Sequence, residues 1–227
     1  MLFRSGGSQH IPRPEEWGPG GPPAWHGRDL SVLSNFAALQ QSIVRNIADR
    51  EPGDWLPGYL PDEERRRSAV LVALHDSAAG PSVVLTRRTS TLSTHRGEMA
   101  FPGGRVEEGE SLLDAAVREA NEEVGLDPSL VTPWGMLDTL STMVSSSRIH
   151  PVVATLPVFP ELVAHDREVE RIVHVPLAEL AHADTYRRES WVRGGHEVDI
   201  HFFEIEGDTV WGATGRMLHQ LLDLLTC

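Results

Sequence analysis

Cysteine is almost absent. The single one, Cys227, stands at the end of the chain, which excludes an internal disulfide and a cysteine-rich zinc site. Only an intermolecular bridge stays open, and with it a homodimer. Long apolar runs are missing too. No stretch approaches the ~20 apolar residues that span a bilayer, and the N-terminus lacks the apolar core of a signal peptide, so a cytoplasmic chain is expected. Basic residues are outnumbered, 20 Lys and Arg against 33 Asp and Glu. The formal charge of −13 would be repelled by nucleic acid and by an anionic membrane, and neither is expected as a partner. A phosphate-bearing small molecule would have to be held by metal ions and a local group of arginines. What remains, 227 residues with 40% hydrophobic and 23% charged, suits one domain with a sizeable core.

Glycine and proline punctuate residues 1–29 without periodic apolar positions, and a poorly ordered leader is expected there. Residues 30–67 read as a helix at about 30–49, on Leu33, Phe36, Leu39, Ile43 and Ile47, followed by a linker broken at Pro52, Gly53, Pro57, Gly58 and Pro61. The compact domain is expected over 68–227. Ala69 to Leu74 reads as a buried strand and Ser82 to Thr86 as a second, with further strands near 134–139, 149–155 and 171–175. A hairpin turns at Gly194-Gly195 between strands near 187–193 and 196–205. The chain ends in a helix at about 214–225 with Leu218, Leu221, Leu222 and Leu225 as its stripe. Strands and helices mix without strict βαβ alternation, which predicts an α/β (α+β) fold with a mixed central β-sheet and helices on both sides.

The stretch 101–126 carries the chemistry. From Ser111 a helix is marked by Leu112, Leu113, Ala116, Val117, Ala120 and Val124, with Ser111 and Asp114 at its start and Gly125 just past its end. Glu119, Glu122 and Glu123 then project from one face, one turn apart. Like charges at these spacings cost roughly 0.2–0.5 kcal/mol per pair, so something positive should compensate. Arg118 contributes, but Glu107, Glu108 and Glu110 add to the negative charge. Hard oxygen ligands in this number suit Mg²⁺ or Mn²⁺. A plain solvated acidic face is the alternative.

Gly104, Glu110, Arg118-Glu119, Glu122-Glu123 and Gly125-Leu126 fall at the spacings of the Nudix box, a glycine, a glutamate and then REUXEEXGU with U a bulky aliphatic. Ala120 is the loose position. The chain thus resembles the Nudix hydrolases, and the resemblance implies an αβα sandwich. Glu119 and Glu123 would be principal metal ligands, and Glu122 a third ligand or the group that orients the attacking water. Arg118 would pair with Glu110 or Glu122, and the carbonyl of Gly103 would be a further ligand, reachable because Gly103-Gly104 lets the backbone approach closely.

Val84-Leu85-Thr86-Arg87-Arg88, with Gly97 and Phe101-Pro102-Gly103-Gly104, resembles the LLTxR(S/A)xxxRxxxGxxxFPGG motif of the coenzyme A pyrophosphatases. Thr89 stands where serine or alanine is usual, and Ser93 in place of an arginine. Segments around Arg148 to Val153 and Trp211 to Leu218 resemble that subfamily too, so the resemblance covers about residues 68–225. It implies a small-molecule nucleotide substrate, CoA or a derivative, cut at its diphosphate. Arg87, Arg88, Arg96 and Arg105 are candidates to hold substrate phosphates, with His95 and Arg96 near the nucleotide. Glu168 or Glu170, expected on a loop before the strand Ile172–Val175, is the candidate general base outside the box. Two alternatives stand beside this reading. One is a Nudix hydrolase for another nucleoside diphosphate derivative, such as ADP-ribose, NADH or a dNTP. The other is a non-enzymatic nucleotide sensor, which loss of box carboxylates would have favoured; none is lost.

Overall fold

The apolar run Ala69 to Leu74 forms the middle of a strand in the computed structural model, which describes residues 6, 7, 9, 11–55, 66–89, 97–142 and 147–227. In chain order the strands are β1 (Trp17–Pro19), β2 (Asp54–Trp55), β3 (Arg66–His75), β4 (Ser82–Arg88), β5 (Met99–Ala100), β6 (Gly103–Arg105), β7 (Thr132–Met136), β8 (Thr139–Ser141), β9 (Ser147–Thr155), β10 (Val169–Pro176), β11 (Tyr186–Arg193), β12 (His196–Ile205) and β13 (Asp208–Val210). The helices are α1 (Phe36–Ile43), α2 (Leu112–Val124), α3 (Leu177–Leu180) and α4 (Gly212–Leu225).

The larger sheet has the order β10-β4-β3-β9-β8-β2, with β5, β6 and β7 paired to β4, β3 and β9. It is mixed: β3 runs parallel to β9 and antiparallel to β4 and β6. Alternation along β3 separates its two faces. Ala69, Leu71 and Ala73 pack with Ala115, Ala116, Ala120 and Val124 of α2, whose small side chains bring that helix close to the sheet. Val70, Val72 and Leu74 pack on the other side with Leu39 and Ile43 of α1 and Leu218, Leu221 and Leu222 of α4. Helices therefore cover both faces, and full burial of each large aliphatic side chain contributes roughly 1.5–3 kcal/mol. The architecture is the sandwich with a mixed central sheet that the sequence predicts.

The smaller sheet has the order β1-β11-β12-β13, its hairpin turning at Gly194-Gly195 as expected. Val198 and Phe202 of β12 are buried, and beyond Ile200 both faces are covered, His201 and Phe203 included.

Part of the stretch expected as a leader is held in the fold. Trp17–Pro19 pairs with Glu189 to Trp191, Arg13 makes two hydrogen bonds to Glu189 (2.7 and 2.8 Å), and Trp25 is 2% exposed with its Nε1–H donating to the Ala181 carbonyl at 3.0 Å. These anchors are a single large side chain and cross-strand bonds to a distant hairpin, which leave no periodic pattern. The expected helix at 30–49 is α1, capped by Asn35 accepting from the Ala38 N–H, followed by a π-helical turn at Val44–Ala48. It shares the core that contains α4, so residues 36–48 pack as part of the same body as the strands beyond Ser68. Among the described residues no helix is long and apolar enough to cross a membrane.

Candidate active site

The box helix begins where Ser111 Oγ accepts the Asp114 N–H at 3.1 Å and donates to the Asp114 carboxylate at 2.7 Å. It ends at Gly125, whose φ of 66° is the left-handed conformation glycine adopts without steric cost. Between these caps α2 presents its glutamates at graded depth: the Glu123 side chain is 5% exposed, Glu119 16% and Glu122 58%. Arg118 compensates them as a fork. Its Nε and Nη2 donate to both Glu110 oxygens (2.9 and 3.1 Å) and its Nη1 to Glu119 (3.0 Å) and Glu122 (3.3 Å). Nη2 also donates to the Arg105 carbonyl at 3.0 Å, tying β6 to the helix. A lysine has no such planar fork. The guanidinium holds the half-buried Glu110 carboxyl below the usual range, helped by the Glu107 N–H.

Gly103-Gly104 lies directly beneath the carboxylates. The Gly103 N–H donates to Glu123 Oε2 at 3.1 Å. A methyl group at Gly104 would sit 2.4 Å from Glu119 Cδ, and one at Gly103 would sit 2.4 Å from the Ala69 carbonyl oxygen. Only glycine lets backbone and carboxylates approach this closely. Burial is the main reason the Glu119 pKa is raised, and Glu122 and Glu168 raise it further against Arg118. Glu123 is pushed up to about 7, again mainly by burial and then by Glu119 and Glu168, against the Gly103 N–H and Arg88.

Glu119, Glu122, Glu123, Glu168 and His165 line one pocket of about 380 Å³. The structure thus brings Glu168 to the box carboxylates from the turn before β10. Glu170 lies inside β10 rather than on a loop, 3.6 Å from Arg87 and outside that lining. Arg88 stands beside the pocket, its guanidinium 3.7 Å from Glu123, and its Nε is buried with no hydrogen-bond partner among the described residues. Arg87, the next residue along the strand, points to the opposite face, where it meets the fully buried Asp208 at 3.3 Å. Arg105 is exposed, and strand alternation sets its side chain on the face opposite Gly104. His95 and Arg96, with Ser93, lie outside the described residues. His165 had no signal in the sequence. It sits in an irregular segment, and its place comes from a tertiary bond, its N–H donating to the Glu123 carbonyl at 2.9 Å.

The pocket's donor set is four carboxylates and the His165 imidazole, and a hard divalent cation would relieve the mutual repulsion of the carboxylates. Among the described residues no three acidic or imidazole groups already converge as ligands. Glu119 is bonded to Arg118 and Glu123 to Gly103.

A mixed sheet between helices, with a capped helix holding three glutamates over a Gly-Gly strand, defines the Nudix fold. The NUDIX domain model matches residues 65–208, and the chain belongs to the Nudix domain family. It is 32% identical over 166 residues to an uncharacterized Nudix hydrolase, NudL, of Photorhabdus laumondii subsp. laumondii, covering 73% of this chain and 87% of that one. It is 31% identical over 203 residues to Nudix hydrolase 3 of Caenorhabditis elegans, covering 82% and 84%. Among solved structures, the Nudix hydrolase RenU from M. smegmatis is similar with a TM-score of 0.45 and 23% identity, over 53% of this chain and 78% of that one. Family membership supports hydrolysis of a nucleoside diphosphate derivative as the class of activity.

Proposed function

We propose that the protein is a metal-dependent diphosphatase that cleaves coenzyme A or an acyl derivative. The observation that carries this reading is the convergence of Glu119, Glu122, Glu123 and Glu168 on one pocket beside Arg88, a motif arginine with a buried Nε–H unused by the described residues. Nudix hydrolases generally need divalent metal ions; here Glu119 and Glu123, with Glu122 and the Gly103 carbonyl, would hold Mg²⁺ or Mn²⁺. Such an ion supplies neutralisation of the diphosphate oxygens and a lowered pKa of nearby water.

The remaining work falls to the chain's own groups. Arg88 donates to a substrate phosphate, a geometry that planar guanidinium suits. Arg118 keeps Glu119 and Glu122 oriented through its bonds to both. Glu168 accepts a proton from the attacking water, the water oxygen bonds to phosphorus, and the bridging P–O bond breaks. The products are two phosphomonoesters, 4′-phosphopantetheine and adenosine 3′,5′-bisphosphate.

The test is incubation of the purified protein with Mg²⁺ or Mn²⁺ and a panel of CoA, acetyl-CoA, dephospho-CoA, ADP-ribose, NADH and dNTPs, with products resolved by mass. Release of phosphopantetheine with CoA far ahead of the others is expected. Preference for another member would keep the chemistry and overturn the specificity, and no turnover of any would favour a nucleotide sensor.

A further inference from the structure

We propose that Thr89 is a positioning residue that holds the Glu168 turn against the box helix; the inference rests on the reading of Glu168 as the proton acceptor. The turn spanning residues 163–169 is suspended from two elements. At one end the Val163 and His165 N–H groups donate to the Val124 and Glu123 carbonyls, both at 2.9 Å, so the turn occupies carbonyls that α2 leaves unpaired at its C-terminus. The turn closes on itself as the Glu168 and Val169 N–H groups donate to the His165 carbonyl at 2.9 and 3.0 Å. At the other end Thr89, 8% exposed and just past β4, binds it twice. Its N–H donates to the Glu168 carbonyl at 3.0 Å and its Oγ1–H to the Arg167 carbonyl at 3.1 Å. Val169 then pairs with Arg88, the arginine beside Glu123.

Thr89 reaches Glu168 through the backbone carbonyl and not through the carboxylate that takes the proton, and so it fixes the backbone of the two residues that end at Glu168. Position along β4 thereby couples Arg88, on one side of Thr89, to Glu168 across the clamp. The hydroxyl is the separable part, because any non-proline residue supplies the N–H.

The experiment compares Thr89→Val, Thr89→Ser, Glu168→Gln and the double variant Thr89→Val/Glu168→Gln in the full chain, by two readouts. The first is amide hydrogen exchange. Loss of one hydrogen bond in Thr89→Val should speed exchange at Glu168 and Val169 about 3- to 10-fold and leave the middle of α2 unchanged, with Thr89→Ser near wild type. The second is hydrolysis of CoA, or of ADP-ribose should CoA not be the substrate. Thr89→Val should lower kcat about 3- to 10-fold with KM within twofold, and Thr89→Ser should restore it. In the Glu168→Gln background the same change should have no further effect on kcat. Full activity in Glu168→Gln alone would overturn the reading of Glu168. An additive loss in the double variant, or unchanged exchange at Glu168 and Val169 in Thr89→Val, would overturn the clamp.

Discussion

Glu123 is the box carboxylate that folding opposes most strongly. Its side chain is 5% exposed, and burial first, then Glu119 and Glu168, lifts its pKa from 4.5 to about 7. A group whose pKa is raised on folding contributes stability that is fully present below its unfolded pKa and is lost as pH rises through the folded one. For Glu123 that window runs from 4.5 to about 7, and the interval corresponds to roughly 3 kcal/mol. Glu123→Gln removes the charge at every pH and keeps an oxygen to accept the Gly103 N–H, while giving up the Arg88 contact at 3.7 Å. Without metal the variant should be more stable than the wild type at pH 8, by about 1–3 kcal/mol or roughly 3–10 °C in Tm. At pH 5 the gap should shrink to about 1 kcal/mol or less, since the folded wild-type carboxyl is then protonated and the unfolded one only partly ionised. Melting curves in EDTA at pH 5, 6.5 and 8 measure this directly. Added Mg²⁺ should raise the wild-type Tm at pH 8 far more than the variant's, because bound metal competes with the proton. A variant that melts at or below the wild type at pH 8 without metal would refute the reasoning.

Other expectations follow from the same contacts. In Gly104→Ala the added methyl meets the end of the flexible Glu119 side chain, so the fold should survive with the apparent Mg²⁺ affinity weakened at least about tenfold by titration. Gly103→Ala instead meets the Ala69 carbonyl and the Val70 Cα at 2.4 and 2.5 Å, and urea denaturation should show a loss of about 3 kcal/mol or more. Trp25→Ala should cost about 3–5 kcal/mol in the same assay, because this nearly buried indole meets Tyr186 edge to face and stacks on Phe203. Burial depresses the pKa of His201 to about 2 and of His219 to about 4, the opposite direction from Glu123. Their stabilising contribution is present above pH 6.5 and lost on acidification, so Tm should fall between pH 6.5 and 4, and His201→Gln should flatten that slope.

The box helix was legible because its signals are local. Periodicity, the Ser111 cap and the Gly125 stop all lie within the segment they define, and β3, β4 and the Gly194-Gly195 hairpin are of the same kind. The role of Arg118 was legible as charge compensation, but its bond to the Arg105 carbonyl was not. Long-range contacts are where reading along the chain fails. Trp25 reaches Ala181, Arg87 and Arg171 share the buried Asp208, and His165 reaches Glu123 only through backbone bonds. The same limit separates Arg87 from Arg88, adjacent in sequence and on opposite faces of the sheet, of which only Arg88 meets the box glutamates. Glu168 and Glu170 divide for a similar reason, one in the turn and one in the strand that follows it.

The most direct test of the central claim, that the carboxylates of α2 run a metal-dependent diphosphate hydrolysis, is CoA turnover by the wild type and by Glu119→Gln at saturating Mg²⁺, with products resolved by mass. Release of 4′-phosphopantetheine by the wild type, abolished by EDTA and reduced by about 10²-fold or more in the variant, is the expected result. Turnover by Glu119→Gln at the wild-type rate would contradict the account.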